Sequence, residues 1–165
     1  MITPPITEKR NELPYLSIHR RVNKKDIPAV LPPLIGEVMT FIREKNIAGN
    51  FTPFFLYRSM DDQYNFETEV GVLVNDDAEG NSNIIKGAFP SGNYATTIYS
   101  GDYSTLMEAH SAVESFILKN GLKEKQQKSG NLIEWGGRIE FYLTDPEMEP
   151  DTEKWKTEVA FLLED

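Results

Sequence analysis

The chain has 165 residues, of which 39% are hydrophobic and 11% aromatic, as expected for one folded domain or for two small lobes that share a core. It contains no cysteine, which excludes disulfides, zinc–thiolate sites and thiol nucleophiles. The formal net charge of −9 argues against direct nucleic-acid binding, because neutralising phosphates requires clustered lysine and arginine.

The sequence carries no signal for a membrane or for export. No apolar run approaches the roughly 20 residues that a membrane helix requires, and residues 1–10 lack the apolar stretch of a secretory signal. We therefore expect a cytoplasmic protein without a membrane partner.

The first half of the chain predicts a strand, a helix and two further strands. Residues 1–13 are polar with two prolines and predict an extended lead-in. A strand over 15–22 is followed by a helix over 31–47, whose apolar residues recur every three or four positions. Two strands over 51–59 and 66–74 complete this half.

The second half predicts the same order of elements. A strand rich in tyrosine and threonine spans 92–101, and a helix follows over 104–121, where Asn120 and Gly121 form a stop signal. Strands over 137–145 and 156–164 end the chain.

The two halves also share residues in the same order. The segment TEVGVLV (68–74) resembles TEVAFLL (157–163), and further matches are Tyr15 with Tyr94, Tyr57 with Tyr142, and Glu69 with Glu158. We predict an α+β fold built from a duplicated β-α-β-β module, with repeats 14–74 and 92–164 joined by a polar linker 75–91 into one domain, 14–165. A pseudo-twofold would place two main helices on one face of an antiparallel sheet and a ligand groove on the other.

Alternation along the strands selects the residues of that groove. On the strand around Glu140, we expect Ile139 and Phe141 to face a helix and Glu140 and Tyr142 to face the groove. The same reasoning adds aromatic and small residues to the predicted ligand-binding set, with Trp135 at the rim or as a lid: Phe55, Tyr57, Gly71, Ala160 and Trp135.

A carboxylate flanked by aromatic rings is poorly solvated. It either raises its pKa or is stabilised by a cation, so the predicted groove favours a flat aromatic ligand with a positive charge. The alternative from spacing alone is that Glu140 is an ordinary exposed strand residue.

The two histidines predict no catalytic or metal site. His110 lies on the apolar face of the second helix and is interpreted as a core or boundary residue, and His19 as a surface residue. Their separation gives no metal-ligand spacing, and no glycine-rich phosphate loop follows a strand. We therefore predict neither a metal nor a cofactor.

The segments AFPSGNYATTIYSGDYS (88–104) and IEFYLTDPEMEPDTEKWKTEVAFL (139–162) resemble the GyrI-like small-molecule-binding domain, also called the AraC-type effector-binding domain. The resemblance covers about residues 14–163 and implies the duplicated fold with a groove between two lobes. It implies that Glu140 is the family's central glutamate and that Tyr142 and Tyr57 are its groove aromatics. The sequence departs from the family pattern in LPPLIGEV (31–38) and in TEVAFLLED (157–165).

Two classes of function follow from this resemblance. The first is a stand-alone protein, without a DNA-binding domain, that binds or sequesters a flat aromatic or cationic small molecule. The second is a hydrolase of cyclopropane-containing genotoxins, in which Glu140 with a raised pKa activates water and Tyr142 donates a hydrogen bond to the leaving oxygen. A gyrase-modulating protein is a third alternative, and no protein partner is predicted from the residues.

Overall fold

Short alternating and apolar segments of the chain form nine antiparallel strands. The computed structural model describes residues 1–165. The strands are β1 (Ile6–Arg10), β2 (Leu13–Asn23), β3 (Pro53–Met60), β4 (Asn65–Leu73), β5 (Ile85–Phe89), β6 (Gly92–Ser100), β7 (Gln126–Ser129), β8 (Leu132–Tyr142) and β9 (Lys156–Leu162).

Each half contains one long helix, which follows β2 in the first half and β6 in the second. A short helix α1 (Ile27–Val30) leads into α2 (Pro32–Glu44), which opens with prolines because the first helical turn does not use its amide donors. Helix α3 (Met107–Lys119) ends before Gly121, whose φ of +65° suits the turn that closes a helix. Neither helix is long and apolar enough to span a bilayer.

The strand order in the curled sheet is β1-β6-β9-β8-β3-β4-β2-β5, with β7 paired to β8. The order is symmetric about its centre, where β3 lies beside β8. Outward from there, β4 and β2 on one side correspond to β9 and β6 on the other. Registers agree as well, since Tyr15 faces Leu73 in one half and Tyr94 faces Leu162 in the other. The predicted α+β fold class is confirmed, whereas a common origin of the two halves stays a prediction.

Three short strands differ from the sequence interpretation. The predicted lead-in contains β1, which pairs with β6, and the predicted linker contains β5, which pairs with β2. Strand β7 was not predicted, and β8 begins at Leu132 rather than at 137. Strands β1, β5 and β7 have only four or five residues each, too few for a clear alternation signal.

Both faces of the sheet are buried. We call the side covered by α2 and α3 the helix face: Val70, Phe55, Glu140 and Val159 face one another across β4, β3, β8 and β9 and therefore lie on it. The opposite side, the inner face, is enclosed by the curl of the sheet and is filled by strand residues alone: Leu13, Tyr15, Phe54, Leu56, Leu73, Phe89, Tyr94, Ile139, Phe141, Ala160 and Leu162.

The predicted position of the groove is therefore wrong. Ile139 and Phe141 were expected to face a helix, but they pack on the inner face, and Glu140 lies on the same side as the helices. An apolar strand face usually identifies the side that another layer covers. In a curled sheet both faces are covered, so the apolar character of Ile139 and Phe141 does not tell which side carries the helices.

Candidate ligand-binding site

A cavity of about 760 Å³ opens on the helix face beside α3, within the range of pockets that hold small organic ligands. Strands β3, β4, β7 and β8 contribute its walls, together with α1 and the segment after α3. Its lining is mostly apolar and aromatic, with charged groups of both signs, and its aromatic residues are Tyr57, Tyr64, Phe66 and Trp135.

Glu140 lines this cavity from the centre of the sheet and is 4% exposed. Its Oε1 accepts hydrogen bonds from the hydroxyl of Tyr57 at 2.9 Å and from that of Tyr142 at 2.7 Å. Its Oε2 lies 2.7 Å from Nε2 of His110 on α3. Both carboxylate oxygens therefore have donors, which is how a buried charge becomes tolerable.

The carboxyl of Glu140 is ionised. Burial by itself would raise its pKa, but the hydrogen bond and charge of His110 and the two tyrosine hydroxyls outweigh burial and hold the pKa below its usual range. Burial and the charge of Glu140 raise the pKa of both Tyr57 and Tyr142 well above normal, so both remain donors. The sequence left two alternatives for Glu140, a raised pKa or stabilisation by a cation, and the raised pKa is wrong because spacing did not reveal these donors.

His110 belongs to this site, although the sequence interpretation left it in the core. It is buried, as expected for its helical face, but its ring reaches Glu140. The available signal was a polar residue amid Ala109, Val113 and Ile117 on a buried face. Such a residue requires a partner, yet the sequence does not say which element supplies it.

Trp135 forms a flat wall of the cavity. A bulge places it there, because Trp135, Gly136 and Gly137 of β8 lie opposite the single residue Arg58 of β3. The indole stacks on Phe66, with ring centroids 6.3 Å apart and an angle of 23° between the rings.

Arg138, which the sequence analysis did not select, also lines the cavity and packs against this wall. Its guanidinium lies 4.4 Å from the ring centre of Trp135 and 4.1 Å from that of Phe161. Two hydrogen bonds of 3.0 and 2.7 Å tie the guanidinium to the carboxylate of Glu124. Burial nevertheless raises the pKa of Glu124, against the effect of Arg138.

The remaining predicted site residues do not line the cavity. Phe55 and Tyr142 are next to it on the helix face, where their rings pack edge to face at 4.8 Å. Gly71 and Ala160 lie on the inner face, separated from Glu140 by the sheet.

Gly71 does not provide space for a ligand. A Cβ at this position would lie 1.9 Å from the backbone oxygen of Leu16, so the glycine permits β2 to approach β4. Glu69, on the same face, accepts hydrogen bonds from Tyr15, Ser17 and Arg58 and has no access to the cavity.

No group of three or more histidine and acidic side chains is arranged to hold a metal ion. The chemistry of the site is that of a buried anion between aromatic walls, with a histidine in direct contact with the carboxylate.

Several solved structures share this fold. The C-terminal domain of EcmrR superposes with a TM-score of 0.71 at 22% identity, covering 97% of this chain and 96% of that one. In the complex of EcmrR with DNA the TM-score is 0.74 at 20% identity, and the match covers 99% of this chain but only 57% of the EcmrR chain.

Two other neighbours share the fold at lower identity. SAV2435, solved bound to tetraphenylphosphonium, has a TM-score of 0.61 at 11% identity, with 98% of this chain and 94% of that chain covered. A hydrolase from Listeria innocua has a TM-score of 0.61 at 13% identity, with 97% and 91% covered. At such low identities, the superpositions show a shared fold and nothing more.

No curated protein matches the sequence significantly. The family profile of the GyrI-like small molecule binding domain, however, matches residues 3–164, nearly the whole chain. With the fold described above, this match means that the chain belongs to the GyrI-like small-molecule-binding domain family.

Proposed function

We propose that this protein binds, and thereby sequesters, a flat aromatic cation in the cavity above Glu140. Membership of a small-molecule-binding family supports a small-molecule ligand. The observation that supports a positively charged ligand is the ionised carboxylate of Glu140, which is almost fully buried and in contact with the cavity. A poorly solvated anion attracts a cation more strongly than an exposed one does.

The walls favour an aromatic ligand. Phe66 and Trp135 present nearly parallel rings, and Tyr57 stands beside Glu140. Aromatic faces attract cations through the negative charge of the ring face, in addition to their apolar contact with a ligand ring. A structural neighbour solved with tetraphenylphosphonium is in keeping with an aromatic cation, although this cation is tetrahedral rather than flat and the neighbour shares only the fold.

The two tryptophans of the chain allow a direct test. Trp135 lines the cavity, whereas Trp155 stacks on Tyr103 outside it. We expect tetraphenylphosphonium, and the planar cation ethidium, to quench tryptophan fluorescence saturably. Quenching should persist in W155F and disappear in W135F.

The positive charge is tested separately. Triphenylphosphine oxide, which is aromatic but neutral, should bind at least about tenfold more weakly than tetraphenylphosphonium, a difference of about 1.4 kcal/mol. E140Q should remove this preference because it removes the buried charge. Absence of saturable quenching, or equal affinities of E140Q and the unchanged protein for the cation, would contradict the proposal.

A hydrolase is the second candidate, favoured by one observation. His110 and Glu140 form a pair of acid–base groups at 2.7 Å in the cavity, and an ionised carboxylate can accept a proton from water. Tyr142 is not free for the role expected from the sequence, because its hydroxyl already donates to Glu140. Mass spectrometry of cyclopropane-containing electrophiles after incubation tests this candidate: turnover that E140Q abolishes would support it, and recovery of intact compound would reject it.

A further inference from the structure

We infer that His110 couples ligand binding to a proton: an aromatic cation enters the cavity in exchange for the proton on Nδ1 of His110. This inference rests on the proposed function and adds a charge rule to it. The site would bind a cation and release a proton, so that its net charge stays the same. His110 is thus a specificity-determining residue in addition to being a hydrogen-bond donor to Glu140.

The geometry assigns the two ring nitrogens different tasks. Nε2 lies 2.7 Å from a carboxylate oxygen, and an ionised carboxylate can only accept, so Nε2 carries a hydrogen in every charge state of the ring. The charge of the imidazole is therefore decided at Nδ1. Loss of the Nδ1 proton leaves the hydrogen bond to Glu140 in place.

Nδ1 has an exchange route through the cavity. The hydrogen bond to Glu140 is the only one that the His110 side chain makes with the protein. The His110 side chain also lines the cavity, where solvent can take up or deliver the proton on Nδ1.

The other groups that face His110 do not provide a competing counter-charge of the same kind. Glu124 is tied to Arg138 by two hydrogen bonds, and the hydroxyl of Tyr57 donates to Glu140. Phe161 of β9 covers the ring with an apolar side chain. Glu114, one turn further along α3, has half of its side chain exposed.

Electrostatics then sets the exchange. An imidazolium paired with Glu140 makes the empty site neutral, and a cation placed beside it would meet a like charge at short range in a poorly screened space. A neutral imidazole leaves the negative charge of Glu140 available to the ligand. Cation binding and protonation of Nδ1 therefore oppose each other, as linkage requires for two ligands that compete for one charge.

Calorimetry of tetraphenylphosphonium binding measures the exchanged proton. Titrations are run with the full chain in two buffers of different ionisation enthalpy between about pH 5 and pH 8, the range in which histidines change charge. We expect release approaching one proton per bound cation at the acidic end. The affinity should rise by up to about tenfold per pH unit wherever this proton is released. Neutral triphenylphosphine oxide should release no proton.

The chain offers a matched pair of variants because it has only two histidines. In H110Q the side-chain amide can still donate to Glu140 but cannot titrate, so proton release and the pH slope should vanish. In H19Q, at a residue that contacts Glu69 on the inner face, both should remain as in the unchanged protein.

The outcomes separate the two proposals. Saturable cation binding with no proton release, or with a pH slope that survives in H110Q, overturns the exchange and leaves the proposed function standing. Absence of saturable binding at every pH overturns the proposed function and the exchange with it. If H110Q does not fold, proton release by the unchanged protein still decides the question.

Discussion

Glu140 shows how a charge is kept inside a protein. Removing a carboxylate from water costs several kcal/mol, and each hydrogen bond to a charged group returns about 1.5–3 kcal/mol. Three donors from three elements offset the cost here, namely Tyr57 of β3, Tyr142 of β8 and His110 of α3. The carboxylate also links strand and helix, so its ionisation contributes to stability.

Acid titration tests this contribution. The folded pKa of Glu140 is lowered, so its stabilisation is fully present above the unfolded value of about 4.3 and is lost as the pH falls through the folded pKa. E140Q should lower the free energy of unfolding by about 1–3 kcal/mol at neutral pH, and this difference should shrink below about pH 4. Urea unfolding at pH 7, 5 and 3 measures it, and a difference that stays constant over this range would show that ionised Glu140 does not stabilise the fold.

At the scale of elements, close approach of strands matters as much as side-chain packing. Strand β2 passes so near to β4 that Gly71 has no room for a methyl group. The bulge opposite Arg58 is a second local device, because it turns Trp135 toward the cavity. Both features are backbone geometry, and the bulge decides where the Trp135 wall of the cavity lies.

Two glycines provide a matched comparison at this scale. G71A should lower the free energy of unfolding by at least about 2 kcal/mol, because β2 must move to admit the new Cβ. G36A, on the exposed side of α2 with nothing within 4 Å of its new Cβ, should raise it by about 0.5–1 kcal/mol. Chemical denaturation of both variants checks the pair, and equal effects would disprove the role of close strand approach.

The molecule as a whole is joined by its inner face. Phe54 of β3 and Phe89 of β5 pack there against Phe141 of the second half, with ring centres 6.4 and 5.3 Å from that of Phe141. Neither half could bury these rings alone. We therefore expect the two halves to unfold together.

Truncation of Phe141 tests this shared core. F141A should lower the free energy of unfolding by about 3–5 kcal/mol, while circular dichroism and tryptophan fluorescence continue to follow one transition. The control M148A, at a residue 80% exposed, should change stability by less than about 0.5 kcal/mol. Separate transitions for the two probes would show that the halves are independent.

Local patterns were sufficient to predict much of this protein. Helical spacing located α2 and α3, alternation located the six longer strands, and paired tyrosines and glutamates indicated the symmetric order that the sheet displays. Helical spacing and alternation depend on residues that are neighbours in the chain, and the paired residues depend only on their order along it, so all of these features can be read without coordinates. The resemblance to the family, likewise, depended on short motifs in order.

The membership of the site required the folded chain. His110 and Glu140 are 30 positions apart, and no local pattern states that a helix residue will meet a strand residue. The face of the sheet that carries the cavity depended on the curl, which covers both sides and leaves hydrophobicity uninformative. For this reason Gly71 and Ala160 were predicted to line the same groove as Glu140, although they lie on the opposite face of the sheet. Contacts between distant segments depend on how the helices pack on the sheet and on how the sheet curls, and both are properties of the whole fold.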